Sequence, residues 1–131
     1  MNTKILMTIS FLFLGSIGII LSFLPKEIIL FLNIDPNPVT LIIFQLLGSF
    51  YLGFGILNWM AKGTLIGGIY NKPIVIGNLM HFGVGAITLV KVVFTFKEQV
   101  AFIILLTIPY IIFALCFAYI FMTNPKKLDS N

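Results

Sequence analysis

Arginine is absent from this 131-residue chain: all eight basic residues are lysine, and only four carboxylates accompany them. None of those carboxylates falls inside a long apolar run, which argues against a carboxylate-coupled proton antiporter of the small four-helix kind. With one His and one Cys, a catalytic triad lacks its buried acid and a di-metal site lacks enough ligands. Cys116 cannot form an intramolecular disulfide, and no CxxC pair or Cys/His metal spacing exists, which removes redox and structural-zinc roles. The missing arginine also leaves no guanidinium for phosphate or thiolate recognition, which argues against a membrane glutathione transferase. No P-loop is present. The net charge of +4 is too dispersed for a nucleic-acid surface, which needs clustered Lys and Arg. The expectation is therefore no nucleic-acid partner, no metal and no cofactor.

What the chain has in abundance is hydrocarbon. Hydrophobic residues make up 60% of it, charged residues 9%, and the mean hydropathy is +1.13. A soluble domain carries a much larger polar share, so this surplus belongs in a bilayer. A spanning helix needs about 20 apolar residues, and four runs qualify, near residues 5–24, 39–60, 74–95 and 100–122. Continuous runs of that length exclude spanning strands, which are short and alternate in polarity. The expected fold is all-α, an antiparallel four-helix transmembrane bundle forming one domain over residues 1–131.

The first run is longer than a signal-peptide core and no A-x-A site follows it, so it is expected to remain as a span. After it, Glu27 to Ile34 is apolar but too short to cross, and reads as a short interfacial helix closed by the Asp35-Pro-Asn-Pro38 turn. Residues 61–73 carry Gly63, Gly67 and Gly68 and suit a re-entrant or interfacial loop. Lys97-Glu98-Gln99 joins the last two spans tightly, and a polar tail follows.

Four spans put both termini on one side with Lys4, Lys62, Lys72, Lys126 and Lys127, against Lys26, Lys97 and a snorkelling Lys91 on the other. The positive-inside bias therefore favours cytoplasmic termini in an inner membrane, as a multi-pass protein. Trp59, Tyr70 and Tyr119 sit near the proposed inner boundary as an aromatic belt.

Polar side chains inside spans are costly, so the few that occur are informative. At 100° per residue, Gly77, Asn78, His81, Gly85 and Thr88 share an arc of the third span, with Lys91 at its edge. The second span offers Gln45, Gly48, Ser49, Gly55 and Trp59 on one broad side, and the first aligns Thr8, Gly15, Gly18 and Ser22. Small residues let helix backbones approach closely, and these stripes are expected to turn inward. Two polar layers follow from depth: Asn58, Asn78 and His81 in one, Gln45 and Lys91 in the other. His81 suits a proton carrier or ligand contact because imidazole titrates near neutrality. The plainer reading is a neutral ring bonded to a helix neighbour. The asparagines read as interhelical bridges, Cys116 as a small core or lipid-facing residue, and Pro109 as a kink.

The stretch Gln45-Leu-Leu-Gly48-Ser-Phe-Tyr51-Leu-Gly53-Phe-Gly55-Ile-Leu-Asn58-Trp59-Met-Ala-Lys62-Gly63 resembles the signature of a family of small bacterial four-helix membrane proteins of unknown function. So does Leu65-Ile-Gly67-Gly68-Ile-Tyr70-Asn-Lys-Pro73-Ile-Val-Ile-Gly77-Asn78, followed by His81-Phe82. The resemblance covers roughly residues 35–91. It implies an inner-membrane bundle and no particular activity, and it marks Gln45, Asn58, Trp59, Asn78 and His81 as candidate ligand-binding residues.

Three functional readings follow. The leading one is a non-enzymatic binding or accessory module, partnered by membrane lipids, a second copy or another membrane protein. A second is a binder or enzyme for a lipid or isoprenoid between the second and third spans, near Asn58, Asn78 and His81. A third is a small oligomeric channel or transporter.

Overall fold

A computed structural model describes residues 2–95 and 99–123, so Lys97, Glu98 and the tail with Lys126 and Lys127 lie outside the described residues. The described residues form five α-helices and no strand: α1 Thr3–Phe23, α2 Pro25–Phe31, α3 Pro38–Ala61, α4 Lys72–Thr95 and α5 Val100–Thr123. Four of them are long and apolar enough to cross a membrane. At 1.5 Å per residue their 21 to 24 residues reach about 32–36 Å, enough for the hydrocarbon core. Large apolar side chains such as Leu12, Phe50, Phe94 and Leu105 lie exposed on all four, the reverse of a water-soluble surface. The chain is a multi-pass, all-α membrane protein.

Local chemistry sets the helix ends. Asn2 caps α1, its Oδ1 accepting from the backbone N–H of Lys4 and Ile5. Asn37 caps α3 in a reciprocal box: its Oδ1 accepts from Val39 and Thr40, and Thr40 Oγ1 accepts from the Asn37 N–H. Pro38 occupies the first turn, where its missing N–H costs nothing. The short helix α2 starts on Pro25 and ends in a Schellman turn. Asn33 there takes the left-handed conformation (φ 56°), with Ile34 N–H donating to Ile29 and Asn33 N–H to Leu30. Residues 62–71 form turns and a single 3-10 turn, Ile69–Asn71, held by Asn71 Nδ2 donating to the Leu65 carbonyl.

The helices group into two compact units, residues 1–62 and 63–131. In the first, α1 and α3 run antiparallel: Ser10 meets Asn58, Gly15 meets Gly55, and Gly18 meets Gly48 and Leu52. This is backbone-to-backbone packing. A methyl on Gly18 would stand 2.8 Å from the Leu52 nitrogen, and one on Gly48 2.7 Å from the Ser22 nitrogen. The small-residue stripes of the first two spans thus face each other, with Ser49 left exposed.

In the second unit α4 and α5 pair through Phe82, Tyr110, Phe113 and Phe117. The buried residues of α5 (Thr107, Tyr110, Phe113, Phe117 and Ile120) recur every three or four positions, as a helix seam requires. The buried stripe of α4 is Val75, Asn78, Phe82 and Ala86. It shares Asn78 with the expected polar arc but is rotated from it, because the aromatic contacts centre the seam on Phe82 and leave Thr88 exposed. Pro109 sits inside α5, which stays helical to Thr123.

Hydrocarbon offers no water to hydroxyls, and the helices respond within themselves. Thr8, Ser16, Thr88, Thr95 and Thr107 each donate to the carbonyl four residues back, and Ser10 and Ser49 to the one three back.

Candidate functional site

Each helix pair, taken by itself, holds a group of polar side chains inside its spans. In the first pair, Asn58 lies one turn before the end of α3 and is fully buried. Its Nδ2 donates to Ser10 Oγ across the helix gap at 3.0 Å, and Ser10 Oγ donates in turn to the Met7 carbonyl at 3.0 Å. This short chain satisfies a side chain that would otherwise cost several kcal/mol, roughly 1–3 by mutational measures. Next to it, Trp59 is partly exposed at 44% and packs against Phe11, ring centroids 4.8 Å apart. The Lys62 ammonium stands over the same indole ring. Partial desolvation there, and secondarily the charge of Lys4, hold the Lys62 pKa below that of an ordinary lysine. Gln45, nearly four turns earlier on α3, is exposed.

In the second pair, His81 is half-buried and its Nε2 lies 3.2 Å from the Tyr110 hydroxyl. Which of the two donates depends on the histidine tautomer. The ring stacks obliquely on Tyr110, centroids 5.7 Å apart, and meets Phe82 edge-on at 5.0 Å. Gly85 is what admits Tyr110 to this position, since any Cβ there would collide with the phenol ring. Asn78 is fully buried and its Nδ2 donates back to the Ile74 carbonyl of its own helix at 2.9 Å.

Of the five candidate residues, then, Asn58 and Trp59 sit together at the Lys62 end of the first pair. Asn78 and His81 lie one turn apart on α4, and Gln45 stands apart on an exposed part of α3. Two partners escaped the sequence reading. Ser10 stands outside the expected stripe of Thr8, Gly15, Gly18 and Ser22, and only its mirrored depth opposite Asn58 hints at the bond. Tyr110 passes for bundle filling, and the signal for it is Gly85, a gap one turn after His81 into which a large ring fits.

The His81–Tyr110 pair can exchange one proton between its members. The described residues of its own unit include no carboxylate, and no group of three His, Cys, Asp or Glu suited to a metal occurs among the described residues. Between the far parts of α4 and α5 lies an apolar groove of about 170 Å³, lined by Val90, Val93, Phe94, Ile104, Thr107 and Ile108. Comparison with protein-family models, curated proteins and solved structures finds no match.

Proposed function

We propose that the protein is a non-enzymatic accessory module of a bacterial inner membrane, in the manner of the four-helix family whose signature residues 35–91 resemble. One observation carries this reading: the buried and half-buried polar side chains within the spans bond to the protein itself. Asn58 bridges to Ser10, Asn78 returns to its own helix, and His81 and Tyr110 hold each other. Reaction chemistry needs polar groups held ready for a substrate, and here the bonding capacity is directed at the protein itself. The exposed apolar faces suit lipid or another membrane helix. Both termini belong to the cytoplasm in this reading, where the lysine bias places them.

The test is turnover. Purified protein in nanodiscs made from bacterial lipid and quinone leaves that mixture unchanged, and His81→Ala and Tyr110→Phe behave as the parent does. A product that appears with the parent and disappears with His81→Ala overturns the reading.

A second reading, an apolar small-molecule binder, draws support from the groove between α4 and α5. Native mass spectrometry after mild extraction then shows a lipid-sized adduct that Ile108→Trp removes. An adduct retained by that variant places the ligand elsewhere and counts against this site.

A further inference from the structure

We propose that the end of the α1–α3 pair carrying Lys4, Phe11, Trp59 and Lys62 is a docking site for the phosphate headgroup of an anionic phospholipid. The sequence spacing builds it. Lys4 and Phe11 are seven residues apart and so fall within about 20° of each other on α1. Trp59 and Lys62 are neighbours at i, i+3 on α3. Antiparallel pairing, fixed one turn away by Ser10 and Asn58, brings the start of α1 against the end of α3. Phe11 then abuts Trp59, Lys62 lies over the indole, and the Lys4 charge is felt by Lys62.

The two lysines converge where the chain supplies no described acid. Glu27 and Asp35 follow α1 and precede α3, so they stand at the other end of the pair, about 30 Å away along the helices. The helix dipoles do not supply the counter-charge either. The positive end of α1 and the negative end of α3 meet here and offset each other, leaving the lysines to set the sign. Like charges held together are unfavourable, and an anion between them turns the repulsion into attraction. Lysine binds phosphate as a point charge, without the fork geometry that arginine adds.

The level in the membrane selects the lipid. Lys62 follows the last residue of a spanning helix and Lys4 is in the first turn of another, where phosphates of the leaflet reside. A half-exposed tryptophan at that level is an interfacial anchor, its ring among headgroups. The site goes beyond the accessory-module reading and stands or falls separately, since it requires only that α1 and α3 span.

Trp59 is the one tryptophan of the chain, so its fluorescence reports this site alone. Full-length protein in nanodiscs of neutral phosphatidylcholine receives a small fraction of brominated phosphatidylglycerol or, in parallel, brominated phosphatidylcholine. The site predicts local enrichment of the anionic lipid by about fivefold, equivalent to one lysine's attraction to an anionic leaflet. Quenching by the brominated anionic lipid therefore exceeds quenching by the neutral one. In Lys4→Gln/Lys62→Gln the ratio within the same variant falls to that of the neutral lipid. Lys4→Gln alone, which leaves the lysine over the indole in place, gives an intermediate ratio. Equal quenching by both lipids in the parent, or an excess that persists in the double variant, overturns the proposal. So does inorganic phosphate competing the excess away, which assigns the lysines to a soluble anion.

Discussion

Asn58 and Ser10 offer a direct measure of what one interhelical hydrogen bond is worth in this membrane protein. Both are fully buried, and the bond joins residues 48 apart in sequence. A double-mutant cycle with Ser10→Ala and Asn58→Leu, read by unfolding in bicelles, is expected to give a coupling of about 0.6 kcal/mol and no more than about 1.7. The modest value reflects an unfolded state in which each side chain finds other partners. Zero coupling means that the bond is incidental to packing. Lys62 supplies a second residue-scale test, through pH. Its folded pKa is lowered, by desolvation first and Lys4 second, so the unfolded chain binds more protons in the alkaline range. Charged Lys62 thus costs stability below its folded pKa, and the cost disappears as pH rises from there to the ordinary lysine value. Trp59 emission follows the loss of the ammonium above it. Lys4→Gln removes the repulsion and moves that emission midpoint to higher pH. A midpoint that stays in place separates the two lysines.

At the scale of elements, glycine position decides the outcome of adding one methyl group. Gly18 and Gly48 face backbone across the α1–α3 gap, so Gly18→Ala or Gly48→Ala forces the helices apart. The expected loss is about 1–3 kcal/mol, typical of overpacking. Gly53 lies on the same helix as Gly48 with nothing within 4 Å of a Cβ. Gly53→Ala is therefore neutral or stabilising by up to about 1 kcal/mol through helix propensity. Thermal unfolding in detergent ranks the three, and equal effects would remove the case for close packing. Gly85→Ala acts differently, because its neighbour is a side chain, the Tyr110 ring. That ring swings away from His81, and the histidine resonances in NMR shift as they do in Tyr110→Phe.

Those contrasts also mark what was readable in advance. The four spans are within about two residues of their expected limits because apolar runs end on strong local signals, Asn2, Pro25, Asn37 and Pro38. The glycine stripes of α1 and α3 were readable because small residues leave only one efficient way to pack. The seam of α4 was not. Core and lipid are both apolar, so hydropathy cannot tell that Phe82 faces protein while Phe94 faces outward. Polar marks had to stand in for a seam that aromatic stacking sets. Among the candidate residues, Asn58, Asn78 and His81 are buried or half-buried as polar groups in a span should be, whereas Gln45 is exposed.

For the whole molecule, orientation rests on few charges and is correspondingly sensitive to them. Four spans place Asn2 and Thr64 on one side and Asn33 on the other. In a Cys116→Ser background, an impermeant maleimide added to intact cells is expected to label Asn33→Cys. Asn2→Cys and Thr64→Cys should react only after permeabilisation. The reverse pattern inverts the orientation, and Asn2 and Thr64 on opposite faces removes one of the first two spans. The lysine count makes a sharper demand. In the proposed orientation, with Lys91 counted outward, the sequence assigns five lysines to the inner side and three to the other. Lys62→Gln together with Lys72→Gln reduces five to three and abolishes the bias. Both orientations then coexist, and Asn33→Cys and Thr64→Cys are each labelled in part from outside. If the double variant keeps a single orientation, something other than lysine count, such as the order in which the two helix pairs insert, fixes how this protein sits in the membrane.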